Sequence, residues 1–105
     1  MVTLGEIWLV KLDPTVGSEI RHFRSFLGVS PPEMNGHLRT VIVAPMTTGA
    51  RPAPFRIPIT FGGKKGLVLP DPIRTLEKLR LVRRLGAAST ATLSAALRTL
   101  QEVFA

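Results

Sequence analysis

The chain has 105 residues, of which 45% are hydrophobic, and these values fit one compact domain spanning residues 1–105. It contains no cysteine, which excludes disulfide bonds, thiolate catalysis and cysteine-ligated zinc. Fourteen lysines and arginines against seven acidic residues give a formal net charge of +7, and most of these cations are arginines. Because the planar guanidinium suits phosphate contacts and base stacking, this charge favours a polyanionic partner, with nucleic acid the leading candidate.

The N-terminal sequence does not resemble a targeting segment. Glu6, Lys11 and Asp13 interrupt it where a secretory signal needs an unbroken apolar run. No stretch reaches the roughly 20 apolar residues that a membrane-spanning helix needs. The sequence therefore predicts a cytoplasmic protein without a membrane partner.

Short apolar runs separated by turn residues are typical of a small barrel or sandwich. EIWLVKL (6–12) predicts a first strand, and RSFLGVS (24–30) predicts a second, in which Gly28 indicates a bulge or a close backbone approach. PPEMNGH (31–37) predicts a turn with one turn of helix. LRTVIVAPM (38–46) is rich in β-branched residues and predicts a third strand, buried on both faces.

The next segments are shorter. TTGARPAP (47–54) predicts a loop. In FRIPIT (55–60) apolar residues alternate with other residues, as in a strand. Its proline predicts an edge strand, because proline has no amide hydrogen to donate. GGKKG (62–66) predicts a hairpin turn, and LVL, IRTLE and RLVRRLG predict the remaining strands.

The last segment changes to helical periodicity. Ser89 or Thr90 supplies an N-cap for STATLSAALRTLQEVF (89–104). The pattern predicts an amphipathic helix that covers one side of the barrel. Its apolar face comprises Leu93, Ala96, Leu97, Leu100, Val103 and Phe104.

No pattern in the chain indicates a bound metal or cofactor. His22 and His37 are far apart, and neither belongs to a cluster with the spacing of metal ligands. FGGKKG lacks the Lys-Ser/Thr ending of a phosphate-binding loop, and there is no GxSxG motif. We therefore expect any chemistry to use side chains alone.

The segment GSEIRHFR (17–24) is unusually rich in groups that suit phosphoryl chemistry. RNA can be cut without a metal when its 2′-hydroxyl attacks the phosphate, which requires a base, an acid and donors at the phosphorane. GSEIRHFR supplies several of these groups, and the hydroxyls of Thr47 and Thr48 follow the third strand. We expect this loop and the end of the third strand to meet at one rim of the barrel.

Several motifs resemble the MazF/PemK family of toxin endoribonucleases: GEIWLVKLDPTVGSE, Arg24, VSPPEMN, TVIVAPMTT, GLVL and IRTLEKLRLVRRLG. The resemblance runs from about Gly5 to the end of the C-terminal helix. It implies a mainly β fold, which is an SH3-like barrel with a C-terminal α-helix. It also implies that two copies of the chain form a homodimer. It also implies metal-independent cleavage of single-stranded mRNA at short motifs, leaving a 2′,3′-cyclic phosphate and a 5′-hydroxyl, and a MazE/PemI-like antitoxin that blocks the RNA groove.

The resemblance also implies roles for individual residues. Arg24 corresponds to the catalytic arginine, which stabilises the phosphorane and is a candidate acid, and Thr47 to the threonine that contacts a phosphate oxygen. Ser18 and Glu19 lie in the family's GSE element, with Glu19 a candidate base or a group that orients Arg24. The division of acid and base between them stays open.

We expect further residues near this pair to bind RNA. Phe23 flanks the polar cluster and is placed to stack on a base, whereas Trp8 and Phe26 belong to apolar strands and are expected in the core. The predicted RNA-binding residues are Arg21, His22, Phe23, Thr48, Arg51 and Arg56. Arg80, Arg83 and Arg84 form either a solvated face or a set of phosphate contacts.

The sequence departs from the family pattern at two positions. Ser25 stands where proline usually follows the catalytic arginine, and Pro72 stands where glutamine usually follows Asp71. Two other functions remain open at this stage: a non-catalytic barrel that binds RNA or antitoxin, and a gyrase-poisoning toxin of the same fold.

Overall fold

The computed structural model describes residues 2–12, 23–48, 51 and 53–104. This part of the chain contains seven strands, two α-helices and one 3₁₀ turn. The strands are β1 (Glu6–Lys11), β2 (Phe23–Gly28), β3 (Thr40–Thr47), β4 (Ile57–Phe61), β5 (Lys64–Val68), β6 (Arg74–Glu77) and β7 (Leu81–Ala87). The helices are α1 (Pro32–Asn35) and α2 (Thr90–Val103), and the 3₁₀ turn is Lys78–Arg80. None of the helices described is long and apolar enough to cross a membrane.

The strands form one antiparallel sheet in the order β4-β5-β3-β2-β1-β7, and β6 pairs with β3 off this path. β3 is the central strand. One of its edges pairs with β2, while the other pairs first with β6 along Thr40–Val43 and then with β5 at Met46 and Thr47. The sheet curls into a half-barrel that ends in the C-terminal helix, so the predicted fold class is confirmed.

Most predicted elements match the structure within a few residues. α1 is the predicted single turn of helix, and β4, which carries Pro58, is the edge strand at one end of the sheet path. The hairpin turn is tighter than predicted, because Gly62 and Gly63 alone form it and the following lysines belong to β5. The prediction for Gly28 was wrong: a Cβ there would meet only ordinary contacts at 3.6 Å, and the register shifts lie between β1 and β7.

Two hydrophobic clusters occupy the two faces of the sheet, as alternation along each strand requires. The first cluster joins the interior of the half-barrel to α2 and includes Ile7, Leu27, Ala44, Met46, Ile59, Val68 and Ala96. The second lies on the other face and includes Val10, Phe26, Val41, Val43 and Leu76, with the half-buried Trp8 packed against it. β3 therefore contributes to both clusters, which confirms that it is buried on both faces.

α2 begins as predicted, with the Ser89 hydroxyl accepting a hydrogen bond from the Thr92 amide at 3.1 Å. Its buried residue Ala96 belongs to the first cluster, and the half-buried Leu97 and Leu100 pack against it. The predicted apolar face is wrong at its end, since Val103 and Phe104 are 48% and 70% exposed. Phe104 instead borders an open groove that Val29 and Leu100 also line.

A small buried polar network holds α1 against β3. The Ser30 hydroxyl donates to Asn35 Oδ1 at 2.6 Å, and Asn35 Nδ2 donates to the Ser30 carbonyl at 2.9 Å. The Ile42 amide donates to the same hydroxyl at 3.1 Å, and Lys78 Nζ donates to the Asn35 backbone carbonyl. Both Ser30 and Asn35 are almost fully buried, so these bonds satisfy groups that burial otherwise penalises.

Glu6 connects the start of β1 to β7. Its carboxylate accepts hydrogen bonds from the Thr3 amide at 2.6 Å, from Trp8 Nε1 at 3.3 Å and from Arg84 Nε at 2.7 Å. Partial burial raises the pKa of Glu6, but these hydrogen bonds and the Arg84 charge outweigh it, so the pKa lies below its ordinary value of 4.5. The charged form therefore stabilises the fold.

Replacing this carboxylate tests its contribution. Because the folded-state pKa is lowered, the stabilisation is present above the unfolded-state pKa and is lost as the pH falls through the folded-state value. We expect Glu6→Gln to reduce the free energy of unfolding by about 1 kcal/mol at pH 7, a small value because Arg84 is half exposed to solvent. Urea unfolding at pH 7 and pH 3 should show this difference shrinking in acid; an equal difference at both pH values would contradict the assignment. Glu33→Gln, at an exposed site in α1, is the control.

Candidate active site

An open cleft of about 330 Å³ lies where β2 and β3 stop pairing. The β2–β3 ladder ends at the pair Phe26–Pro45. Beyond it, β2 continues to pair with β1 as far as Phe23, while the end of β3 pairs with β5. The two strands therefore separate, and the cleft opens between them. Its lining residues are Phe23, Arg24, Ser25, Met46, Thr47, Thr48 and Phe61.

Arg24 and Thr47 lie on the same face of the two separating strands. Continuing the β2–β3 register by two residues places Arg24 opposite Thr47. By strand alternation, Arg24 shares a face with Phe26, and Thr47 shares a face with Val43; both of these neighbours belong to the second cluster. The structure thus brings the exposed guanidinium and the half-buried hydroxyl together in one cleft, where the sequence predicted them to meet.

The other predicted site residues fall into three groups. Phe23, 37% exposed, and the exposed Thr48 line the cleft beside the pair. Arg51 and Arg56 are not among the lining residues. Four others lie outside the described residues: Ser18, Glu19, Arg21 and His22.

Arg56 makes contacts within the segment that joins β3 to β4. Its Nη1 donates to the Arg51 carbonyl at 2.8 Å, and its guanidinium carbon lies 5.6 Å from the centre of the Phe55 ring. These contacts brace the segment and leave less of the guanidinium for a ligand. A contact of Arg51 or Arg56 with RNA stays a prediction.

Two of the three arginines near the C-terminal strand have partners within the protein. Arg80 Nη1 donates to the Leu12 carbonyl at 2.7 Å, just before residues 13–22, and Arg84 binds Glu6. The sequence left open a solvated face or phosphate contacts for these arginines; the bonds of Arg80 and Arg84 within the protein point instead to a structural role. Arg83 lies exposed in β7.

Comparison with known proteins identifies the family. The family profile described as "PemK-like, MazF-like toxin of type II toxin-antitoxin system" matches residues 3–104. The chain belongs to this family. The resemblance seen in the sequence motifs is therefore confirmed over almost the whole chain.

Named relatives agree with this PemK/MazF assignment. The chain is 41% identical over 78 residues to "Endoribonuclease PemK" of Escherichia coli, a match that covers 70% of the chain but only 59% of that relative's length. It is 32% identical over 91 residues to "Endoribonuclease MazF" of Staphylococcus epidermidis, covering 81% of the chain and 76% of the relative.

A solved structure of an endoribonuclease with its cognate antitoxin, from a Mycobacterial species, has a similar fold. Its TM-score is 0.77 at 26% identity, with 98% of this chain and 97% of that chain covered. The fold that carries the cleft is thus shared with this endoribonuclease.

The departures from the family pattern differ in their relation to the cleft. Ser25 is half buried and lines it directly, so the family's usual proline is replaced here by a hydroxyl at the site. Pro72 lies in the exposed turn between β5 and β6 and is not among the lining residues.

Three residues at the cleft were missed by the sequence reasoning, because none has chemistry that marks it. Met46 and Phe61 supply an apolar side to the cleft. Gly66 lies behind Thr47, and a Cβ on Gly66 would sit 2.8 Å from the Thr47 carbonyl oxygen. β5 therefore approaches the end of β3 more closely than any other residue would allow.

The described carboxylates and histidine do not crowd this site. None of them is among the residues that line the cleft, so an anionic ligand there meets no described negative charge. Within the described residues, no group of three or more histidines and carboxylates is arranged to hold a metal ion. The cleft offers instead a guanidinium, three hydroxyls and an apolar wall.

Gly66 provides a direct test of how the end of β3 is positioned. We expect Gly66→Ala to destabilise the fold by about 1–3 kcal/mol in urea unfolding, because the new methyl collides with the Thr47 backbone. The matched control is Gly86→Ala in β7, where a Cβ meets nothing within 4 Å. That variant should be neutral or more stable by about 0.5–1 kcal/mol. Equal stabilities for the two variants would show that the close approach does not exist.

Proposed function

We propose that this chain is the toxin of a type II toxin–antitoxin system and acts as a metal-independent endoribonuclease on single-stranded mRNA. The observation that carries this proposal is the convergence of Arg24 and Thr47 in one open cleft at the rim of the half-barrel. The family assignment and the endoribonuclease names of both curated relatives support it.

The proposed reaction is an internal displacement at a phosphodiester. The ribose 2′-oxygen loses its proton and bonds to phosphorus, and the bond from phosphorus to the 5′-oxygen breaks. The leaving oxygen takes up a proton, so that the products carry a 2′,3′-cyclic phosphate and a 5′-hydroxyl. Negative charge accumulates on the phosphorane between these steps, and fixed donors at that point lower the barrier most.

The cleft residues fit this charge pattern. The Arg24 guanidinium presents several N–H groups in one plane, which suits two phosphoryl oxygens at once. From β3, on the other side of the cleft, the Thr47 hydroxyl donates to a phosphoryl oxygen. For the proton transfers, Glu19 is a candidate base or the group that orients Arg24, Arg24 is a candidate acid, and Ser18 is a supporting residue.

The form of the cleft favours RNA that is not base-paired as the substrate. The cleft is lined by the first residues of β2, by the end of β3 with Thr48, and by the last residue of β4, with two phenylalanines among them. Proteins that recognise RNA at this scale bind nucleotides whose bases are splayed out, since paired bases are not available for stacking. The excess of cations, with a net charge of +7, favours association with the phosphate backbone.

The proposal includes an antitoxin, a homodimer and a cytoplasmic location. One structural relative is an endoribonuclease in complex with its cognate antitoxin, and we extend that kind of partner to this chain. A second copy is a reasonable partner for the exposed Leu79 and Val82, which are 82% and 52% accessible in the single chain. The cytoplasm is the compartment that contains the mRNA substrate.

Substitution of Arg24 tests the proposal. In excess chelator, the wild-type protein should cleave single-stranded RNA, and sequencing of the cut ends should show 5′-hydroxyls at a short motif. We expect Arg24→Ala to lower the cleavage rate by about 10²–10³-fold, because a preorganised donor to the phosphorane is lost. Arg24→Lys should recover little of the wild-type cleavage rate, since an ammonium cannot make the same planar contact.

The controls separate chemistry from charge and folding. Arg98→Ala removes an exposed arginine from α2, far along the chain from the cleft residues, and should cleave like the wild type. Undiminished cleavage by Arg24→Ala would overturn the residue assignment. RNA binding without cleavage by the wild type would favour a non-catalytic barrel, and arrested DNA relaxation with intact RNA would favour a gyrase poison.

A further inference from the structure

The cleft has two chemically different sides. Arg24 and Thr47 lie on the strand faces that belong to the second cluster, whereas Phe23 and Met46 lie on the opposite faces. Met46 belongs to the first cluster, and Phe61 packs against it. The apolar side of the cleft is therefore the open end of the first cluster, exposed where β2 and β3 separate.

Phe61 is presented by a tight two-residue hairpin and packs against the first cluster. It is the last residue of β4 and pairs with Lys64, the first residue of β5. Gly62 and Gly63 between them have φ values of 57° and 75°, the two positive angles that a tight two-residue turn requires. A side chain held in this way loses little conformational freedom when a ligand stacks on it.

The dimensions and chemistry of the cleft select the ligand. A volume of about 330 Å³ is at the lower end of the range for small-molecule sites, enough for a single flat group and far too small for a duplex. The apolar side needs a flat aromatic ligand, and the polar side needs an anion. In RNA, a base and its own phosphate are one sugar apart, so a single nucleotide can reach both sides.

We propose, on the basis of the endoribonuclease function above, that Phe23, Met46 and Phe61 form a seat for one unstacked nucleobase next to the phosphate bound by Arg24 and Thr47. Stacking on the two rings holds the base, and Met46 forms the floor. The seat thereby fixes the position of the phosphate relative to Arg24. The neighbouring hydroxyls of Ser25 and Thr48 are placed to contact the edge of the base.

The test uses a single-stranded RNA that contains the wild-type cleavage motif. We expect Phe61→Leu, which keeps an apolar side chain but removes the ring, to raise KM by about 5–30-fold with a smaller change in kcat. Phe61→Trp should restore KM, because it restores a stacking face. Phe23→Leu, at the more exposed ring, should also raise KM. Because this exposed site is less important for folding, the variant shows whether the effect at Phe61 reflects lost stacking or a folding defect. Phe104→Leu, at an exposed ring outside the cleft, should leave KM unchanged.

Abasic nucleotides locate the seat along the RNA. One abasic position beside the cut should raise the KM of the wild type by a similar factor. On the RNA that is abasic at this position, Phe61→Leu should raise KM no further. An unchanged KM in both leucine variants would overturn the seat. So would a Phe61→Leu effect on KM that is equally large on every abasic RNA and on the intact RNA.

A binding measurement separates this inference from the proposed function. Fluorescence anisotropy of the same RNA in the non-cleaving Arg24→Ala background should show weaker binding when Phe61→Leu is added. If the wild type binds RNA without cutting it, the endoribonuclease function fails, while the leucine effect on binding still decides the seat. If no RNA binds, both fail.

Discussion

The switch of hydrogen-bond partners along β3 is the constraint on which the site depends. Each buried backbone amide and carbonyl needs a partner, and β3 satisfies its groups with β2 and β6 in its first part and with β5 at its end. The pairing of β3 with β2 ends at Pro45, while the opposite edge of β3 goes on to pair with β5 at Met46 and Thr47, and the start of β2 pairs with β1. The cleft is therefore a direct product of the pairing pattern.

Much of this arrangement was predictable from local patterns. Alternation of apolar residues located the strands, Pro58 marked the edge strand, and the change of period at Ser89 located α2. Arg24 and Thr47 were identified as a pair through the resemblance to the MazF/PemK family, because an arginine and a threonine at strand ends are ordinary by themselves. Their placement in one cleft required only that β2 and β3 be antiparallel neighbours.

The residues that were missed depend on register between strands distant in sequence. Phe61 reads as an ordinary alternating strand residue, and only the pairing of β4 with β5, and of β5 with β3, brings it to the cleft. The role of Gly66 rests on a single close approach to the Thr47 carbonyl, which composition and period do not encode. The burial of Asn35 was hidden in the same way, because PPEMNGH reads as an exposed turn until Ser30 and Lys78 are placed around it.

The order in which the strands pair has a consequence for the timing of synthesis. The cleft needs β5 beside β3, and the first cluster behind it needs Ala96 from α2, almost at the C-terminus. A chain still attached to the ribosome therefore lacks part of the support for its own site, although Arg24 and Thr47 have already emerged. The cleft is therefore completed only after the C-terminal part of the chain has been synthesised.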